Sequence, residues 1–297
     1  MTERGRMIES LLARSRPVGG YVIIILVVMI VATTLLINQW FFPARVWLPL
    51  ADLTAFIISG TLQAGWISII ILVGFVIFFL GRLRPCEVGL EWSRVGVGLV
   101  YTLAIWLGLH AVLLIWTHLA GALLVFAADP LPLTSAFLGQ IAGNALAEEI
   151  VYRGFLLVQC FFLLRGKFSA KKWQWAASAI LLCTAIFAFS HIPNRLMKDS
   201  YDSAGAVLQD QFGLFVGGTV FCLAYLRSQN LFFVVGIHAL GNRPSALFAA
   251  PNEALPIGLV VYLLATVLLL FWPKLPLVKQ TTDKSESALA FMHDPEA

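Results

Sequence analysis

The sequence predicts an all-α fold, a polytopic transmembrane helical bundle of about eight spans, on three observations. Of 297 residues, 60% are apolar and only 12% charged, against roughly 25% charged in a soluble domain. That leaves too little polar surface to cover a water-soluble core. The apolar residues fall in runs of membrane-spanning length, not at alternating or heptad spacing. Lys and Arg lie between those runs with a strong bias: fifteen of the twenty fall in segments on one side of an eight-span arrangement, and three on the other.

The elements follow in order. A basic head, residues 1–19, carries Arg4, Arg6, Arg14 and Arg16. The apolar run 20–42 exceeds the roughly 7–15 apolar residues of a secretory signal, so it reads as a retained first span. Residues 46–63 contain Pro49 and Asp52 and read as interfacial, because counting them as a span would invert the charge bias. Further spans are expected at 64–80, 95–126, 133–164, 173–192, 211–226, 231–248 and 256–272. The fifth of the eight should stop at Pro193, and 95–126 reads as one tilted or extended helix. The chain thus divides into N-terminal helices (20–127), a core (133–248), a last helix (256–279) and a polar, disordered tail (280–297). The bias places both termini in the cytoplasm, of an integral protein in the plasma membrane.

Some functions are disfavoured at this level. A net charge of +4 is no nucleic-acid footprint. Cys86, Cys160, Cys183 and Cys222 have no paired or metal-ligand spacing. No internal repeat stands out, which counts against a transporter built from repeats.

Ionisable side chains at bilayer depth are costly and therefore mark function. Three clusters stand out. In Glu148-Glu149-Ile150-Val151-Tyr152-Arg153, helical spacing puts Glu149 and Arg153 on one face, acid first, as a self-neutralising pair. Glu148 lies about 100° round the helix and shares a face with Tyr152, so one carboxylate is paired and one is free. Phe187 and His191 share a face near the end of the fifth span, and His238 and Asn242 do so within the seventh. His110 and His118 have no such companions and read as structural. Together the clusters supply a carboxylate, two imidazoles and an amide, the parts that acid–base hydrolysis of an amide needs. Structural ion pairing and interhelical hydrogen bonding are the plainer alternatives.

Glu-Glu-x-x-x-Arg, Phe-x-x-x-His and His-x-x-x-Asn, in that order on successive membrane helices, resemble the CPBP (CAAX protease and bacteriocin-processing, or Abi) family. These are intramembrane glutamic-type endopeptidases related to the type II CAAX prenyl endopeptidases. The resemblance covers about 133–248. It implies Glu148 as the base that activates water, assisted by His191, with His238 and Asn242 as the oxyanion hole. Glu149, Arg153, Phe187 and Tyr152 would support them. It implies a membrane-anchored, prenylated or peptide substrate drawn from the bilayer, and no nucleic acid. No cofactor is expected; a zinc-dependent variant would use Glu148, His191 and His238 as ligands. A proton-coupled transporter and a non-proteolytic scaffold of the same fold are the readings from other classes. Glu148 precedes Arg165 by 17 residues, or roughly 25 Å of helix, so the site is expected toward the outer face.

Overall fold

A computed structural model describes residues 3–126, 130–165, 172–244, 247–248, 257–275 and 278. The described residues are helical, with one isolated bridge between Phe126 and Phe248. The tail expected to be disordered lies outside them.

The first helix, α1 (Glu3–Arg14), is not a span. It buries Leu11 and Leu12 and lies across one end of the bundle. There Ser10 donates to Gln229 at 3.1 Å, Glu9 pairs with Arg165 at 3.3 Å and Arg14 pairs with Glu91 at 3.4 Å. The basic head is therefore a structured strap tied by polar contacts to three segments at one end of the bundle.

Among the described residues, five helices are long and apolar enough to cross a membrane. They include α2 (Gly20–Phe41) and α4 (Gly60–Leu80). Between these two lies the short α3 (Leu48–Leu53), which agrees with a non-spanning 46–63 segment. The third, α5 (Val95–Leu119), stops short of Phe126, and Gly121 adopts φ +61° just beyond it. Only glycine takes that left-handed conformation without steric cost, so the chain turns there. The lipid-facing sides carry Ile24, Val28, Ile70, Leu107 and Leu263, all exposed. This is an integral membrane protein.

Residues 130–164 form one continuous helical run, α6, at the centre of the bundle. It has widened, π-type turns at Gln140–Asn144 and Ile150–Leu157, the second beginning directly after Glu149. Such turns recur at functional sites. The next helix, α7 (Lys172–Ser190), ends as expected, but Pro193 does not terminate the helical path. The chain bends at His191 and Pro193 starts α8 (Ile192–Met197) in its first turn, where a missing N–H costs nothing. Then α9 (Ala204–Ser228) begins with Ser203 accepting from the Ala206 amide at 3.1 Å.

A larger correction concerns the seventh apolar segment. Instead of running to Phe248, α10 (Leu231–Asn242) has 12 residues, about 18 Å of helix against a hydrocarbon core of about 30 Å. The cause is local. Arg243 precedes Pro244, and the residue before proline is pushed out of the helical region; Arg243 sits at φ −145°, ψ 86°. His238 and Asn242 therefore lie in the last turns of a short helix whose end is exposed. The last helix, α11 (Ile257–Phe271), has 15 residues. Among the described residues, α10 and α11 are apolar helices shorter than the five spanning ones, and the charged run α6 stands apart from both groups.

Around α6 pack α4, α7, α9 and α10. Its contact with α4 is close: a Cβ on Gly65 would strike the backbone of Gly143. Small residues that let backbones touch are the usual means of joining membrane helices. Of the two isolated histidines, His110 is satisfied as structural, donating from Nδ1 to the Trp106 carbonyl at 2.8 Å and accepting from the Leu247 amide at 3.0 Å.

Candidate active site

The middle of α6 divides its two glutamates between different surroundings. Glu149 points into the bundle, and neither it nor Arg153 has any exposed surface. Arg153 Nη1 donates to Glu149 Oε1 at 3.0 Å, four residues back, and Nη2 donates to the Gly218 carbonyl of α9 at 3.3 Å. The guanidinium lies over the Phe187 ring at 4.4 Å and near the Phe221 ring at 5.0 Å. A Cβ on Gly218 would stand 2.9 Å from Phe187, so glycine there lets α7 and α9 close on the arginine.

The pair does not neutralise itself in isolation, as the helical spacing alone suggested. Glu149 Oε1 also accepts from His238 Nδ1 at 2.6 Å. His238 is stacked on Phe221, with centroids 4.6 Å apart and planes at 23°. Its imidazole is thus fixed at one edge by a charge-assisted hydrogen bond and on one face by an aromatic ring.

Glu148 faces the other way. Its Oε1 accepts from Asn144 Nδ2 at 2.7 Å, and its Oε2 is buried with no hydrogen-bond partner. Two imidazole nitrogens approach that oxygen: His191 Nε2 and His238 Nε2, each at 3.8 Å. Their protonation follows from their other edges. His191 Nδ1 lies 2.8 Å from the Phe187 carbonyl, which can only accept, so Nδ1 carries the proton. His238 Nδ1 donates to Glu149 in the same manner. In the neutral state both Nε2 atoms then present lone pairs toward an ionised carboxylate. Three acceptors face one another with no hydrogen among them, at separations too long for direct bonds. Such a cluster lacks the donors that a bridging molecule would need to bring.

The remaining expected residues are close by. Tyr152 is buried, with its hydroxyl 2.6 Å from Ser190 Oγ and its ring edge-on to Phe187 at 5.0 Å. It packs behind the site. Phe187 touches Tyr152, His191, His238 and Arg153, and is its aromatic hub. Asn242 lies farther out, exposed, with Nδ2 donating to Gln140 Oε1 at 3.1 Å.

Two cavities adjoin Glu148. One, of about 530 Å³, lies between α6, α7, α9 and α10 and is lined by His191, Leu214, Phe221, His238, Asn242 and Tyr262 among others. The other, of about 310 Å³, lies between α2, α4 and α6. Lys198 and Arg243 line both, and Arg195 pairs with Asp210 at 3.4 Å in the wall of the larger. Desolvation and the neighbouring Arg195 guanidinium lower the Lys198 ammonium below the ordinary lysine range. Both cavities lie toward the end of the bundle away from α1.

Asn144, Phe221, Gly218, Gln140 and Ser190 join the site without having been singled out in the sequence. Asn144 carried a usable signal, since it stands four residues before Glu148 on the same face. Phe221 and Gly218 carried none, because their partners lie on other helices. A zinc ion held by Glu148, His191 and His238 would take its donors at about 2.0–2.2 Å, hence roughly 3.4 Å from one another. The carboxylate–imidazole separations are 3.8 Å, and among the described residues no three His, Cys, Asp or Glu side chains are placed to hold a metal ion. As arranged, the three do not fit one.

Residues 130–243 match the family described as Rce1-like, type II CAAX prenyl endopeptidase. The match starts with α6 and ends one residue past Asn242, so it takes in all three motifs. No curated protein and no solved structure matches the chain.

Proposed function

We propose that this chain, whose residues 130–243 match the type II CAAX prenyl endopeptidase Rce1-like family, hydrolyses peptide bonds of membrane-anchored substrates with Glu148 as the general base. The observation that carries this reading is the partnerless, buried Glu148 Oε2 facing two imidazole nitrogens at 3.8 Å.

In this reading a water molecule lies between Glu148 Oε2 and His191 Nε2. Glu148 takes one of its protons as the oxygen attacks the scissile carbonyl carbon, and the C=O π electrons move to the carbonyl oxygen. His191 accepts a hydrogen bond from the same water and orients it. The resulting oxyanion needs donors. His238 provides one from Nε2 when it carries both protons, and Glu149 balances the added charge from the opposite edge. Asn242 provides the other, since its amide has two hydrogens and Gln140 uses one. When the intermediate collapses, the C–N bond breaks and Glu148 returns its proton to the leaving nitrogen. Arg153 holds Glu149 aimed at His238, and so acts as a positioning residue. The larger cavity, with Phe221 and Tyr262 in its wall, receives the peptide.

Sidedness follows from charge. The Lys- and Arg-rich segments at the α1 end mark the cytoplasmic end by the positive-inside rule, so the cavities open toward the outer leaflet of the plasma membrane. Substrates are then membrane-anchored or exported peptides with lipid-attached or apolar tails.

The test compares wild type with Glu148→Ala, His191→Ala and His238→Ala on lipid-modified peptides in proteoliposomes, with and without a chelator. Loss of cleavage in all three, with no chelator effect, is the expected outcome. Undiminished cleavage by Glu148→Ala removes the base assignment, and chelator inhibition reversed by zinc replaces the metal-free route with a zinc-dependent one.

A further inference from the structure

The second cavity differs from the first in the chemistry of its wall. It lies between α2, α4 and α6, and its lining includes Thr33, Thr34, Ser68, Glu148 and Asn194. Thr34 donates its hydroxyl hydrogen to the Ile30 carbonyl at 2.8 Å, and Ser68 donates its own to the Ala64 carbonyl at 3.1 Å. Each hydroxyl has one hydrogen, so both can offer only lone pairs to anything in the cavity. Thr33 Oγ1, Glu148 Oε2 and Asn194 Oδ1 are buried with no hydrogen-bond partner, and the Thr33 residue is only 3% exposed. These five oxygens, of which the Thr33 hydroxyl can also donate, come from four different helical segments and surround one hollow.

From this wall we infer that the cavity between α2, α4 and α6 is a water reservoir that supplies the hydrolytic site. The inference rests on the reading of Glu148 as the base that activates water. An acyl or prenyl chain has no hydrogen to donate and would leave the Thr33, Glu148 and Asn194 oxygens unpaired in a low-dielectric setting. Water has two donors per molecule and takes about 30 Å³ each in the liquid, so a cavity of about 310 Å³ holds several. Lys198 and Arg243 line the same cavity and are exposed, so it connects toward the hydrated end of the bundle. Glu148 borders both hollows. Peptide is then received on the α9 and α10 side while water arrives from the α2 and α4 side, and substrate does not block the supply of the second reactant. Thr33 and Ser68 are positioning residues for that water.

Hydroxyl-radical footprinting by X-ray pulse, on the full-length protein in nanodiscs without substrate, reads this directly, because radicals form at bound waters. The cavity-lining Ile30 and Leu72 are expected to label faster than Ile24 and Ile70, which face lipid. Thr33→Leu and Ser68→Leu should suppress that labelling and lower kcat several-fold with KM unchanged; Thr33→Val, nearly the same shape, covers the case in which the larger side chain disturbs folding and should do so more weakly. Labelling of Ile30 and Leu72 at the rate of Ile24 and Ile70 overturns the reservoir, as a lipid-filled hollow would give. Normal labelling with unchanged kcat in the filled variants overturns its role in supply. Because labelling needs no substrate, a wet cavity in a protein whose Glu148→Gln form still cleaves would sustain the reservoir and refute only the catalytic reading.

Discussion

Around Glu149 the protein closes completely. The carboxylate meets Arg153 at 3.0 Å and His238 at 2.6 Å, with Phe187 and Phe221 packed on the arginine. Each glutamate leaves its Oε2 buried without a hydrogen-bond partner, but around Glu148, one residue earlier, the protein opens: Oε1 is held by Asn144 at 2.7 Å, two imidazoles face Oε2 at 3.8 Å, and a cavity lies on either side. A rotation of about 100° per residue is enough to separate the two environments. The contrast teaches that the charge cluster is divided by role. The closed side holds an imidazole in place, and the open side leaves a carboxylate accessible to water and substrate.

The largest expected effect breaks the closed side. Glu149→Gln leaves Arg153 buried without a counter-charge, a change that costs about 3–5 kcal/mol, and thermal unfolding in detergent should report it. Replacing both partners, Glu149→Gln with Arg153→Met, should recover much of that stability, since an apolar residue of similar size suits the site. Cleavage should stay low in the double variant because His238 has lost its charged partner. Recovery of both together would show that Glu149 serves stability alone.

Next in size is the stack on His238. Phe221→Leu keeps an apolar side chain but removes the ring 4.6 Å from the imidazole. The expected result is a fall in kcat with little change in KM, as for loss of an interaction used in the transition state. Smallest is Tyr152→Phe, which removes only the contact to Ser190 at 2.6 Å. It should cost about 1 kcal/mol of stability and leave cleavage near wild type.

The two ends of the bundle offer a separate comparison. Cys86 is exposed near the α1 end, and Lys198 lies at the cavity end. With a membrane-impermeant maleimide on intact cells, Lys198→Cys in a Cys86→Ser background should label, and native Cys86 should not. The reverse pattern would turn the site toward the cytoplasm.

Much of this was legible in the sequence where the signal was local. The Glu149–Arg153 contact follows from i, i+4 spacing, and the apolar helices follow from runs of spanning length. Asn144 was equally legible by the same spacing. What escaped depended on contacts between helices or on chain geometry. The hydrogen bond from His238 to Glu149 joins residues 89 apart, and nothing near either announces it. The early end of α10 was hidden because apolar residues continue past it; Pro244 acts on the backbone of Arg243, not on hydropathy. Pro193 misled in the opposite sense, since the same restriction that stops one helix suits the first turn of the next.

The central claim is that Glu148, not Glu149, is the carboxylate that activates water. Its most direct test is the cleavage rate of Glu148→Gln in proteoliposomes, at a folded fraction verified by its unfolding temperature. The account predicts wild-type stability with a rate lowered by about 10²–10⁴, the contribution of a general base. A Glu148→Gln protein that is folded and cleaves within a few-fold of wild type would contradict it.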